Sequence, residues 1–492
     1  MEAKKDSIPD KTSGKNIIKK IHEFKINYVD FWFVDIFGEL HSVSIPSYAL
    51  SEEDFQRGLE KLDASSIRGF KSVNNSDMTL IPDVSTFSIL PPVYDEGQRL
   101  NARMFVNLYE ESSSVRRRYD KDSRGITSHA LNELSKFGFT HARWGPEIEF
   151  FIFDRINIYP SSIGAIQSYG GSGYSIESKE APWTRGNLST RIDLKEGYYP
   201  AQPRDTLDGI RKDICDDLHK YFNIQVEAQH HEVATSGQCE INLVNDETLR
   251  MADTIVTLKN LVKVKSKSRG KVATFMPKPF YGDNSSAMHV HQSLWSGEKN
   301  AMYDPNDKEG ELSQTGRYYV GGLLEHASSM CAITNPTTNS YKRLIPNFEA
   351  PVNVCWGIGN RSSAIRIPMY SKGNEKAKRV EYRVPDPTAN IYLLESVLLL
   401  AGLDGIRKKI DCGASVEENV YKMTADQKRA LNIRSLPTNL KDALDAFKSD
   451  STFLESVFSK DFLETYYSMK YAEYSEFAQN PTPWEVSMYV DI

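Results

Sequence analysis

Apolar and polar positions follow different rhythms along the chain, and the changes of rhythm divide it. Ile17, Ile21 and Phe24 recur at helical spacing within Asn16–Lys25, which predicts a short amphipathic helix. Tyr28–Phe37 and Leu40–Ile45 are strand-like runs joined through Phe37-Gly38-Glu39, the pattern of a hairpin. Ser51–Leu59 opens on a serine suited to cap a helix, and Lys61–Phe70 reads as a polar loop. Strands follow near Met78–Ile81 and Arg103–Tyr109. Strands around one helix within about a hundred residues predict a small α+β domain over 15–114. The stretch before it, 1–14, has no apolar run and reads as a disordered tail.

The charge run Arg116–Arg124, RRRYDKDSR, predicts a solvated linker rather than a phosphate site. A second domain, 121–492, then opens with a helix over Thr127–Phe137 stopped by Gly138. Strands and helices alternate to about Thr388, interrupted by the Gly/Ser-rich stretch Ser161–Gly197, which predicts a long surface loop. Beyond Asn390 the rhythm is helical, at Ile391–Gly402, Leu440–Lys448 and Asp461–Phe477. Pro483–Ile492, with Trp484, Met488, Tyr489 and Val490, is too apolar for a free tail and should pack against something.

Composition narrows the class without changing this picture. A length of 492 residues exceeds one domain at about 150 residues each. A net charge of −6 gives no reason to expect nucleic acid or a membrane surface as partner. No window approaches ~18 uncharged apolar residues, and the N-terminus lacks the apolar core of a signal peptide. Cys215, Cys239, Cys331, Cys355 and Cys412 are scattered without a CxxC pair, as expected of reduced, mostly buried thiols in a cytoplasmic protein.

The candidate chemistry is acidic. Gln225–Leu243, QVEAQHHEVATSGQCEINL, packs Glu227, His230, His231 and Glu232 together and places Glu240 eight positions later. A polar loop between two strands, its acids solvated, would give the same pattern. Arg143–Phe153, RWGPEIEFFIF, separates the two readings: Glu147 and Glu149 share one face of an apolar strand, where they repel each other and lose water. A bound cation relieves that cost. Met288-His289-Val290-His291 and Arg379–Asp386, RVEYRVPD, repeat the alternation, with His289 and His291 on one face and Glu381 and Arg383 on another. Carboxylates with one imidazole suit Mg²⁺ or Mn²⁺ better than a structural zinc.

GPEIEFF, EAQHHEVATSGQCE, KPFYGDNSSAMHVHQS, NPTTNSYKRL, NRSSAIRIP and EYRVPDPTAN together resemble the glutamine synthetase family, in its type I bacterial and archaeal class, in order and spacing. The resemblance runs from about Asn16 to the C-terminus. It implies a β-grasp N-terminal domain, then a catalytic domain with a curved antiparallel sheet flanked by helices. It also implies ATP-dependent ligation of ammonia to L-glutamate through γ-glutamyl phosphate. Position by position, Glu149, Glu232 and Glu240 would hold one metal ion, and Glu147, His289 and Glu381 a second. Arg361 and Arg366 match phosphate-binding arginines, and Arg343 and Arg383 match positions around glutamate and the transferred phosphoryl group. Asn284 and Ser285 match contacts to the amino-acid backbone, and Glu227, His291, Ser293 and Lys376 match the nucleotide side. Asp63 matches the ammonium-binding aspartate that serves a neighbouring subunit, and Glu349 matches the loop glutamate that shields the acyl phosphate. The implied assembly is a dodecamer of two hexameric rings, with the C-terminus reaching into a neighbour.

The sequence departs from the family at three places. Ala64 replaces a glycine after Asp63, and Ser285 and Ala287 replace glycines in the loop before His289; a Cβ is costly wherever φ is positive. Tyr421 stands where some members are adenylylated, but its surroundings differ, and an ordinary tyrosine is expected. Three alternatives carry distinct marks. A ligase for larger amines would tend to lose the Asp63 and Glu349 pair, a silent assembly protein would have broken metal ligands, and a guanidino kinase would lack the N-terminal domain.

Overall fold

A computed structural model describes residues 11–112, 115–159, 173–346, 350–369 and 373–492. Two sheets organise the chain. In the first, strands run in the order Leu40–Pro46, Tyr28–Val34, Asn101–Ser112, Asp77–Pro82, Leu59–Asp63. The hairpin expected at Tyr28–Ile45 is antiparallel, and Tyr28–Val34 pairs parallel with Asn101–Ser112. The helix Lys11–Glu23 buries Ile17 and Ile21 beside this sheet. It starts inside the stretch expected to be a tail; residues 1–10 lie outside the described ones.

Several local expectations give way to tertiary packing. The Ser51–Leu59 helix shrinks to Asp54–Arg57, ended by Gly58 at φ 88°, and Leu59 already belongs to a strand. Lys61–Phe70 is strand and 3₁₀ turn rather than open loop, with Ala64 and Phe70 buried. The largest correction concerns Arg116–Arg124, which is no solvated linker. Val115–Arg118 is a strand on Asn101–Ser112, and Asp122 caps the helix Ser123–Leu134. Arg124 is buried, 3.0 and 2.9 Å from the carboxylate of Asp253 and 2.7 Å from Asp83. A fixed guanidinium fork between two carboxylates ties the N-terminal sheet to the helix Thr248–Ser268.

The second sheet carries the chemistry. Its strands run Val226–His231, Gln238–Leu243, His141–Phe153, Met288–Ser296, Val380–Tyr382, Ile365–Ile367, Trp356–Ile358. Every neighbouring pair is antiparallel except the last. His141–Phe153 is central, and the period of two sorts its side chains. Ala142, Trp144, Ile148, Phe150 and Ile152 join the main core, while Phe151 and Phe153 form a small cluster with Ala234 and Phe280 on the other face. Helices 123–134, 248–268, 314–325 and 391–408 pack in the main core. Of the stretch Ser161–Gly197, residues 161–172 lie outside the described ones; the rest is not a surface loop throughout. Gly173–Glu177 pairs with Arg155–Tyr159, and Glu180, Ala181 and Ile192 are buried.

Helices fall where expected near the C-terminus, at Ile391–Lys408, Leu440–Ser449 and Lys460–Gln479. Pro483–Tyr489 is a further short helix with an N-terminal capping box, and Trp484, Val486, Met488, Tyr489 and Val490 are exposed on the single chain. All five cysteines are free, and four are buried. Among the described residues, no helix is long and apolar enough to cross a membrane.

Candidate active site

The register of the second sheet places the acids in rows. His230 stands opposite Glu240, and Glu240 opposite Glu149. Two residues along, Asn242, Glu147 and His289 align. Two residues further, His291 lies between Gly145 and Glu381, with Arg366 opposite Glu381. Six strands thus present polar alternate residues to one side, above a core built from the others.

The rows face a cavity of about 340 Å³. Its lining includes the expected Glu147, Glu149, Glu232, Glu240, His289 and His291, with Asn284, Ser285, Arg343, Arg361, Arg366 and Arg383. Glu381 is fully buried beside it, 2.6 Å from Arg383 and 2.5 Å from Arg366. Ligand atoms of His230, Glu232 and Glu240 lie within 4.8 Å of one another, as do those of Glu147, His291 and Glu381. These trios differ from the expected ones in their imidazoles. His230 joins the first, and His291 enters the second, while His289 Nδ1 sits 3.2 Å from Glu147. Glu149 anchors the base of the first group, accepting from Gln238 Nε2 at 3.0 Å and Ala287 N at 2.9 Å.

The electrostatics split the groups. Burial, then the neighbouring carboxylates of Glu232 and Glu240, pushes Glu149 well above the usual carboxylate range. Burial and then Glu240 raise Glu232 to about 8. Burial opposes the His230 imidazolium, but Glu240 and Glu232 outweigh it and raise its pKa. In the second group burial is overcome by imidazole hydrogen bonds at Glu147 and by guanidinium charge at Glu381. His289 and His291 hold Glu147 far below the usual range, and Arg383, then His291, bring Glu381 to about 2. One group is short of positive charge and the other has it built in. The first donor set, three carboxylates and an imidazole forced together, fits a hard divalent cation.

The remaining expected residues lie apart. Glu227 is exposed at an irregularity in the edge strand, Lys376 is exposed on a 3₁₀ turn, and Ser293 is buried with its hydroxyl 2.9 Å from Trp295 Nε1. Asp63 is exposed at the end of a first-sheet strand, accepting from Ser65 N at 3.0 Å and Ser65 Oγ at 2.7 Å. Glu349 lies outside the described residues. Neither Ala64, Ser285 nor Ala287 has positive φ, so the side chains that replace glycine cost no backbone strain there. Tyr421 is packed, its hydroxyl donating to the Ala350 carbonyl at 3.0 Å.

Sequence reasoning singled out His230 without giving it a role and missed Tyr198, Tyr199, Gln238, Asn242 and Arg379; all six line the cavity. Asn242 was accessible from its spacing of two from Glu240, and His230 and Gln238 lie within the acid-rich stretch. The tyrosines gave no signal, because the backbone pairing that brings them to the cavity is with Val233 and His231, more than thirty residues on.

A family model described as the glutamine synthetase catalytic domain matches residues 120–489, and one described as the glutamine synthetase β-grasp domain matches 25–111. The glutamine synthetase of Sulfolobus acidocaldarius is 46% identical over 467 residues, which cover 95% of this chain and 96% of that one. That of Archaeoglobus fulgidus is 40% identical over 467 residues, 94% of each chain. A cryo-EM structure of Plasmodium falciparum glutamine synthetase matches with a TM-score of 0.84 over 97% of this chain and 98% of that one; at 24% identity it speaks for the fold alone.

Proposed function

This chain belongs to the glutamine synthetase family, and on that premise we infer that it joins ammonia to the γ-carboxylate of L-glutamate, with ATP supplying a phosphoryl group. The observation that carries the reading is the pair of acid–imidazole clusters on one sheet face, with arginines around the same cavity. The reaction needs that arrangement. A carboxylate attacking a triphosphate brings anions together, and their charge must be matched before they meet.

Glu149, Glu232 and Glu240 would hold one divalent cation, and Glu147, His289 and Glu381 another. Mg²⁺ or Mn²⁺ so held supplies neutralisation of the phosphates and of the glutamate carboxylate. The protein's own residues do the rest. Arg361 and Arg366 grip phosphate oxygens with planar forks. Arg366 and Arg383 already clamp Glu381, which fixes their heads at the cavity edge. Arg343, buried and bonded to the carbonyls of Val384 and Arg383, holds the wall that carries Arg383 and offers charge to glutamate. Asn284 and Ser285 lie where the amino-acid backbone would bind. Glu227, His291, Ser293 and Lys376 serve the nucleotide side.

γ-Glutamyl phosphate forms with loss of ADP, and ammonia then displaces phosphate. Asp63 favours NH₄⁺ and takes its proton, and Glu349 keeps water from the acyl phosphate. Asp63 lies on the N-terminal sheet, away from the cavity of its own chain, which supports a site completed by a neighbouring subunit. The exposed apolar helix Pro483–Tyr489 supports assembly too, because such surface favours a partner over water. We place the chain in a double ring of two hexamers, working in the cytoplasm.

Phosphate release from ATP in the presence of glutamate, with ammonia compared against a panel of larger amines, tests the reading. Ammonia should be preferred, Glu232→Ala should be inactive, and excess chelator should abolish turnover. Preference for a larger amine would make the chain a γ-glutamyl-amine ligase, and full activity in chelator would remove the metal assignment. The shared site has its own test. Inactive Asp63→Ala and Glu232→Ala chains, once allowed to exchange subunits, should regain partial activity together; none after verified exchange would mean each chain builds its site alone.

A further inference from the structure

Beneath the first acid cluster lies a buried pair that the chemistry above does not use. Glu180, in the stretch expected to be surface loop, is buried and accepts from both the backbone N and the hydroxyl of Thr206 at 2.7 Å. Its other oxygen is 3.2 Å from His231 Nε2, and the His231 ring is buried as well. His231 Nδ1 faces two carbonyl oxygens, of Gly197 at 2.8 Å and of Glu232 at 2.7 Å. Carbonyls only accept, so Nδ1 carries a hydrogen and donates.

The two carbonyls belong to two wall segments of the cavity that come from separate parts of the chain. Glu232 bears a carboxylate of the cluster, and Gly197 leads directly into Tyr198 and Tyr199. The walls are stitched further by Gly197 N donating to the Val233 carbonyl at 2.9 Å and Tyr199 N to the His231 carbonyl at 3.3 Å. A Cβ at residue 197 would stand 2.4 Å from the Glu232 carbonyl and 2.9 Å from His231 Cε1, so the approach requires glycine. Tyr199 in turn packs its ring against His230, with centroids 4.5 Å apart.

We propose that His231, oriented by Glu180, is a positioning residue whose Nδ1–H pins the backbones of Glu232 and Gly197 and so sets the Glu232 carboxylate for a divalent cation. The proposal rests on the reading of this cavity as a cation site. Removing such a supporting partner typically weakens metal binding by about 10–100-fold. A merely structural role would lower thermal stability and leave cation affinity alone.

The test is titration of the full-length assembly with Mn²⁺ alone, reading free Mn²⁺ by electron paramagnetic resonance, alongside thermal melting. His231→Asn keeps a donor near the position of Nδ1 and loses the Nε2 side; His231→Leu keeps bulk and loses both. The asparagine variant should bind Mn²⁺ within about threefold of wild type, and the leucine variant at least about tenfold more weakly. A folded His231→Leu protein with wild-type affinity overturns the proposal, as does an asparagine variant weakened as far as the expected leucine loss. If the leucine variant does not fold, His231→Gln, which keeps a polar group on the Nε2 side and loses the Nδ1 donor, takes its place under the same limits. A wild-type protein that binds no Mn²⁺ instead overturns the cation reading itself, and the positioning role with it.

Discussion

Cation binding at the first cluster should be driven by pH, with a slope that the geometry fixes. Burial and Glu240 raise Glu232 to about 8, and burial with both neighbours raises Glu149 well above its usual range. Near neutral pH Glu232 therefore holds a proton that a cation must expel. The sign follows: affinity is full above the raised values and lost as pH falls through them. One expelled proton costs about tenfold in apparent affinity per pH unit well below 8, and because Glu232 is already half protonated at about pH 8, about fiftyfold between pH 8 and pH 6. Mn²⁺ titrations at pH 6, 7 and 8 measure the slope, and calorimetry in buffers of different ionisation enthalpy counts the protons released. Glu232→Gln should bind more weakly and with a shallower slope. An affinity flat from pH 6 to pH 8 would show that the carboxyls are ionised beforehand, and the account of how burial and like charge shape this cluster would fail.

Two further predictions concern the scaffold. Arg124→Met leaves Asp253 and Asp83 without their shared cation and should destabilise by about 3–5 kcal/mol. At about 2.1 cal/mol/K per residue for a segment the size of 120–489, that lowers Tm by about 4–6 °C; Asp253→Asn in the same chain should recover part, and an unchanged Tm would show the pair is dispensable. Glu395 is fully buried in the helix Ile391–Lys408, its carboxyl oxygens without hydrogen-bond partners among the described residues. Burial, then Asp253, raises its pKa well above the usual value. Its folded form therefore keeps a proton that the unfolded chain releases, and wild type should lose about 1.4 kcal/mol of stability per pH unit above the unfolded-state value until the folded-state value is reached. Glu395→Gln should remove that slope, and parallel Tm curves for the two proteins from pH 5 to pH 7 would contradict it.

What could be read from sequence was what a period of two reveals. Glu147 with Glu149, His289 with His291 and Glu381 with Arg383 announce themselves within three residues, and the structure brings all six to the cavity or its edge. What could not be read depends on contacts across long stretches of chain. Arg124 meets Asp253 from 129 residues away, and Glu180 meets His231 from 51. Each looks like an ordinary surface charge until its partner arrives. Alternation tells which face His289 and His291 share, but only strand register shows that His291 comes level with Glu381. The short helix Asp54–Arg57 yields to the strand that follows, because pairing with Asp77–Pro82 outweighs local preference.

In the proposed reaction the γ-carboxylate of glutamate is phosphorylated in this cavity before ammonia attacks. Glutamate labelled with ¹⁸O in that carboxylate, incubated with ATP, ammonia and the divalent cation, tests it directly. The account predicts that each glutamine formed releases one phosphate carrying one ¹⁸O atom from glutamate, and that Glu232→Ala releases none. Unlabelled phosphate, formed in step with ATP hydrolysis while the glutamate oxygen goes elsewhere, would contradict it.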